Sequence, residues 1–210
     1  MLKLFGHDAS PFVRRVRIVL AELRIPFERD THGWQDPAQE FAEASPIQKV
    51  PMLDLGPGVT VRHIFDSRVI AALLFAFPHR RPGGDPPFQD MLLDPALDLL
   101  DQNALSVVDA AQDSLVNVFL LENDGVRLEQ SPYLERQAKR ARGCLDWLET
   151  TYRGQTSLAP GRLAYVDVAV LSLLGWIRFR KRLDLEPWPG LRALDAAHAE
   201  RPSIASTRPA

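Results

Sequence analysis

The chain has 210 residues, 46% of them hydrophobic and 25% charged, with a formal net charge of −2. That length suits one large domain or two small ones, and the balance of charge gives no global pull toward nucleic acid or an anionic membrane. A single cysteine, Cys144, excludes an intrachain disulfide and a multi-cysteine metal site.

The five histidines are scattered with no helical pairing, so no metal is expected. No run of roughly 18 uncharged apolar residues occurs, so no membrane span is expected, and residues 1–8 lack a signal peptide's apolar stretch. The expected location is therefore cytoplasmic. Cys144 falls beside Leu145 and Leu148 in a helical pattern, which suits an inert buried thiol.

In chain order, Leu2 to Phe5 reads as a short strand. Ser10-Pro11 is a helix start, since serine caps well and proline suits the first helical position. Val13, Val16, Leu20 and Leu23 follow at helical spacing, leaving Arg14, Arg15 and Arg17 for a solvated face. Phe27-Glu28-Arg29 reads as a second strand, followed by Trp34 and a short helix from Asp36-Pro37 anchored by Phe41.

Lys49-Val50-Pro51 leads into a third strand, Met52 to Leu55. Proline is tolerated only at a strand's start, edge or bulge, which leaves Val50 with main-chain groups able to dock an extended peptide. A cis Val50-Pro51 bond would fix that edge. Gly56-Pro57-Gly58 is a turn, and Val59 to Arg62 is expected to pair back as a hairpin. Asp66 or Ser67 caps a further helix bearing Ile70, Leu73, Leu74 and Phe77. The resulting order, β-α-β-(α)-β-β-α, describes a mixed sheet with helices packed on it.

Residues 78–87, rich in proline and glycine, read as a linker. Beyond them the pattern is helical throughout. One helix starts at Asp94-Pro95 and runs to about Leu121, with Asn123-Asp124-Gly125 as its stop. Another starts at Ser131-Pro132, and an almost wholly apolar one spans Leu163 to Ile177, suited to the middle of a bundle. Asp167 is placed to cap that helix by reaching back toward residue 164. A last helix covers Pro189 to Glu200, ended by Arg201-Pro202.

Three motifs, taken in order and spacing, resemble the glutathione transferase family: Ser10-Pro11-Phe12 with Arg15-Val16, Lys49-Val50-Pro51, and Asp66-Ser67-Arg68-Val69-Ile70. The resemblance implies an α/β thioredoxin-like N-terminal domain at 1–80, a linker at 81–88 and an all-helical bundle domain at 89–210. It also implies glutathione as cosubstrate and a two-fold homodimer as the assembly.

By that resemblance Asp66 and Ser67 meet the γ-glutamyl end of glutathione. Val50 pairs with its cysteinyl backbone, held by Pro51, and Lys49 meets the glycyl carboxylate. Taken alone, Asp66 and Ser67 are explained equally well as helix caps, and Lys49 as an ordinary surface lysine. Ser10 is the expected catalytic residue. A free thiol has a pKa of about 8.5 and is mostly protonated at neutral pH. A hydroxyl donating to the sulfur, together with the positive end of a helix, favours the thiolate.

The expected reaction is conjugation of glutathione to a small hydrophobic electrophile, a detoxification-type chemistry. Peroxide reduction or isomerisation would use the same thiolate. Phe12 and early residues of the Asp94 helix are candidates to line an apolar electrophile site. The alternative is a non-catalytic binding or assembly module on the same fold. A thiol oxidoreductase ranks third, because residue 10 is serine. Three positions depart from the family pattern: Ser45 where Asn is common, Gln48 where Gly is common, and Asp66 where Glu is commoner.

Overall fold

The computed structural model describes residues 1–32, 39–76, 92–93, 99–159 and 161–210. The sequence-based expectations for Trp34, the helix start at Asp36-Pro37, the linker and the Asp94-Pro95 start lie outside these residues.

The N-terminal part is a four-stranded mixed sheet. Its strands are β1 (Leu2–Phe5), β2 (Phe27–Asp30), β3 (Met52–Asp54) and β4 (His63–Phe65), in the order β2-β1-β3-β4. β1 runs parallel to β2 and antiparallel to β3, and β3 pairs antiparallel with β4. The helices of this part are α1 (Pro11–Glu22), α2 (Gln39–Ala44) and α3 (Ser67–Ala76). Leu4 and Leu53, paired across β1 and β3, are wholly buried, and so are Val13, Val16 and Leu20 of α1 and Ile70 and Leu74 of α3.

The hairpin differs from expectation. The strand opposite β3 is His63–Phe65, not Val59–Arg62. The wholly buried Met52 and Leu53 pair with Phe65 and Ile64, and only this register sets partly buried side chains beside them. Val59 and Val61 are left 46% and 60% exposed in a loop that closes where Leu55 N–H donates to the Arg62 carbonyl at 2.9 Å.

The C-terminal part is helical: α4 (Leu99–Asn123), α5 (Pro132–Thr151), α6 (Tyr165–Phe179), α7 (Pro189–His198) and α8 (Pro202–Ala205). Two two-residue strands, β5 (Leu92–Leu93) and β6 (Leu163–Ala164), pair in parallel. Ser131 caps α5 by accepting from Leu134 N–H. α6 is buried almost all round, as its composition demands, and the wholly buried Asp167 accepts from Ala164 N–H at 2.7 Å. Asp167 also accepts from Tyr152, Ser157 and Leu158, so it anchors the entry to the helix. α4 is long and apolar enough by composition to cross a bilayer. Here its Ala104, Leu105, Val108 and Ala111 row is buried, with α5 and α6 packed against the helix. Cys144 is half-buried at the edge of the core rather than enclosed in it.

The two parts share one apolar core, and α1 packs directly on α6. That contact overturns the solvated-face reading of the α1 arginines: Arg14 is 4% exposed and Arg15 has no exposed surface. Arg14 donates to the carbonyls of Leu171 at 3.0 Å and Ile204 at 3.2 Å. Gly175 makes this possible, since a Cβ there would stand 1.9 Å from Arg14 Nη1. Burial brings the Arg14 guanidinium down to about 10, with Asp195 opposing the shift. The α1 arginines are cross-braces between the two halves.

Candidate functional site

The N-terminus of α1, the turn before β3 and the start of α3 meet α4 around a cleft of about 300 Å³. Its walls include Phe12, Lys49, Val50, Pro51, Asp66, Ser67, Arg68, Asp109 and Asp113. Five of the six residues expected from the sequence are thus brought together. Ser10 does not line the cleft itself but adjoins it through Phe12, two residues on.

Ser10 is 5% exposed and caps α1, its Oγ accepting from Val13 N–H at 3.3 Å. No acidic residue occupies the first turn of α1, so the positive end of the helix is not offset by a neighbouring carboxylate in that turn. The loop before Ser10 depends on Gly6, whose φ is 135°. A Cβ at Gly6 would lie 2.4 Å from Val13 and 2.9 Å from Val50, so glycine lets the Ser10 loop close onto the Val50 turn.

The Val50-Pro51 peptide is cis. Val50 is half-buried, Pro51 buried and Lys49 exposed. The turn ahead of them explains one departure from the family pattern. Gln48 has φ 48°, a conformation glycine adopts at little cost. Its side chain offsets that cost by donating to the carbonyls of Ser45 at 2.6 Å and Ala42 at 2.9 Å, which ties the turn to the end of α2.

Asp66 also has positive φ, 71°, held by its Oδ1 accepting from Arg68 N–H at 2.7 Å. Ser67 begins α3 and is 2% exposed. Its carbonyl accepts from the hydroxyl of Tyr165, a buried α6 residue, at 3.3 Å. Burial pushes the Tyr165 phenol up to about 12, so it stays a donor.

Sequence reasoning missed the α4 side of the cleft. It named Phe12, which does line the cleft, but neither Asp109 nor Asp113, which line it from α4. Asp109 accepts from the buried Arg15, and Arg68 lies 3.5 Å from its other oxygen. Arg68 also donates to Gln102 at 2.7 Å. Their spacing, i and i+4 on one helix face, was the available signal.

A second cluster also went unread. Glu40, Asp54 and His63 bring ligand-type atoms within 4.8 Å of one another. Arg62 donates to both Asp54 oxygens and to Glu40, and Lys3 bonds Glu40 at 2.9 Å. Two cations thus already hold those carboxylates, and the group reads as an ion-pair network.

Two family models match the chain: the N-terminal domain of glutathione S-transferase over residues 4–81 and its C-terminal domain over residues 131–194. Together they take in well over half of the sequence. The chain belongs to the glutathione S-transferase family.

Among solved structures, a glutathione S-transferase from Methylobacillus flagellatus with glutathione bound is 26% identical over 100% of both chains, with a TM-score of 0.82. One from Methylobacterium radiotolerans, in complex with glutathione sulfonate, is 28% identical over 99% of this chain and 94% of its own, with a TM-score of 0.81. A Tau-class enzyme from mango shares the fold at 19% identity, with a TM-score of 0.74 over 100% of this chain and 93% of its own. No curated protein sequence matches the chain. In this glutathione transferase fold the mixed sheet and the helical bundle are those expected from the sequence, and the cleft lies where α4 meets the sheet domain.

Proposed function

We propose that the protein is a glutathione transferase that ionises the thiol of bound glutathione and directs it at an electrophile. The observation that carries this reading is the convergence of Lys49, Val50, Pro51, Asp66 and Ser67 on one cleft beside the Ser10 end of α1. Two solved structures of the same fold hold glutathione and glutathione sulfonate.

In this reading Ser67 and the free N–H groups at the start of α3 take the γ-glutamyl carboxylate, and Asp66 takes the ammonium. Val50 exchanges main-chain hydrogen bonds with the cysteinyl residue, and Lys49 pairs with the glycyl carboxylate. Ser10 Oγ accepts from Val13 and keeps its own proton to donate to sulfur. The thiol proton passes to solvent, and the sulfur lone pair forms the new bond to carbon. The leaving group departs with the electron pair of the bond that breaks. Peroxide reduction and isomerisation are further uses of the same thiolate.

The domains at 1–80 and 89–210 divide this labour, the first binding glutathione and the second closing over the electrophile. A two-fold homodimer is the proposed assembly, and exposed Val69 on α3 and Leu99 on α4 supply apolar surface for it. A reducing compartment such as the cytoplasm is the proposed location, since glutathione keeps thiols reduced there.

Titration calorimetry with glutathione tests the binding roles. Lys49→Ala and Ser67→Ala are each expected to weaken binding by about tenfold, near 1.4 kcal/mol for a lost charge-assisted contact. Undiminished affinity in both would overturn the assignment of the cleft.

A further inference from the structure

The wall that α4 gives the cleft is acidic, and its two carboxylates are not equivalent. Asp109 is held by Arg15 and Arg68. Asp113, one turn further along, is exposed, lines the cleft and has no hydrogen bond or ion pair to any described residue. The other charges around it are committed once glutathione is bound as proposed above. Lys49 then faces the glycyl carboxylate and Asp66 the ammonium, while Arg68 stays with Asp109 and Gln102. Asp113 is left as the uncompensated charge on the cleft wall, and Phe12 is the aromatic ring lining that same cleft.

We propose that Asp113 makes the cleft select second substrates that join an apolar ring or chain to a cationic or hydrogen-bond-donating group, and disfavour anionic ones. The inference rests on the glutathione reading and deepens it by naming the substrate class. A carboxylate and a cation about 4 Å apart near a protein surface attract strongly enough to shift affinity tenfold or more, and an anion in that position is repelled. The charged groups acting on Asp113 come from every side: Asp109 on its own helix, Lys49 in the turn before β3, Arg15 on α1 and Asp66 at the start of α3. Desolvation against the cleft wall and the neighbouring Asp109 raise its carboxyl above the ordinary range, Asp66 adds to this, and Lys49 and Arg15 oppose it. The preference for cations therefore grows as pH rises through that raised value.

The test is titration calorimetry with three probes on the wild type and Asp113→Asn. The probes are S-methylglutathione and two S-(2-nitrophenyl)glutathione conjugates that differ only in a para trimethylammonium or para carboxylate group. Each conjugate's affinity is referred to S-methylglutathione on the same protein. The ammonium conjugate is expected to bind the wild type about tenfold more tightly than the carboxylate conjugate, with the ratio falling close to one in Asp113→Asn. A wild-type ratio near one, a preference for the carboxylate, or a ratio that survives the substitution overturns the inference while leaving glutathione binding intact. Failure of S-methylglutathione to bind the wild type would instead overturn the glutathione reading, and this inference with it.

Discussion

Arg15 of α1, with no solvent-exposed surface, is paired to Asp109 of α4 across the junction of the sheet and the helical bundle. Arg68 of α3 approaches the same carboxylate at 3.5 Å, so one aspartate ties together the helix that starts at Ser10 and the helix that starts at Ser67. The two ends of the candidate glutathione site are braced from the second half of the chain.

Removing that carboxylate leaves a buried guanidinium without its countercharge. Asp109→Ala is expected to destabilise the protein by about 3–5 kcal/mol, read from the urea midpoint with an unchanged slope. A loss below about 1 kcal/mol would mean that water reaches Arg15 and the brace is not needed.

The architecture was legible because it rests on strong local signals. Ser10-Pro11 and Ser131-Pro132 each open a helix with the serine as cap, and the apolar run at Leu163–Ile177 became the most enclosed helix. The hairpin was displaced because β-propensity at Val59-Thr60-Val61 competes with register, and the buried Met52 and Leu53 decide in favour of Phe65 and Ile64. The arginines of α1 were misread for a different reason. A helix face that looks polar in isolation can still be buried against a second domain, and here Leu171, Ile204 and Asp109 receive it. No local pattern reveals such long-range partners.

Among the described residues, the Tyr165 hydroxyl hydrogen-bonds to the site through the Ser67 carbonyl. Tyr165→Phe keeps the ring, including its edge contact with Phe75, and deletes that one bond. The expected outcome is a stability loss of about 1 kcal/mol and a several-fold weaker affinity for glutathione, with no change in the pH dependence of thiol ionisation. A shifted ionisation profile would give Tyr165 a more direct role than positioning.

Stability should fall on the acid side through Glu22. Burial opposes its charge, but the bonds donated by Arg201 and Ser203 more than reverse this and hold the carboxyl below its usual range. Asp54 is held low in the same way, chiefly by Arg62. For a lowered carboxyl the stabilisation is present above its unfolded value and is lost as pH falls through its folded value. Glu22→Gln should therefore be less stable than the wild type at neutral pH and lose less stability on acidification. Parallel acid limbs in the two proteins would contradict the assignment.

The central claim is that this chain turns the thiol of glutathione into a thiolate at neutral pH through Ser10. Ultraviolet difference absorbance of bound glutathione against pH, on the wild type and Ser10→Ala, measures it directly. The account expects ionisation of the bound thiol well below the free value of about 8.5 in the wild type, and a return toward that value in Ser10→Ala. No thiolate signal with glutathione saturating the wild type would contradict it, and would leave a glutathione-binding module in place of an enzyme.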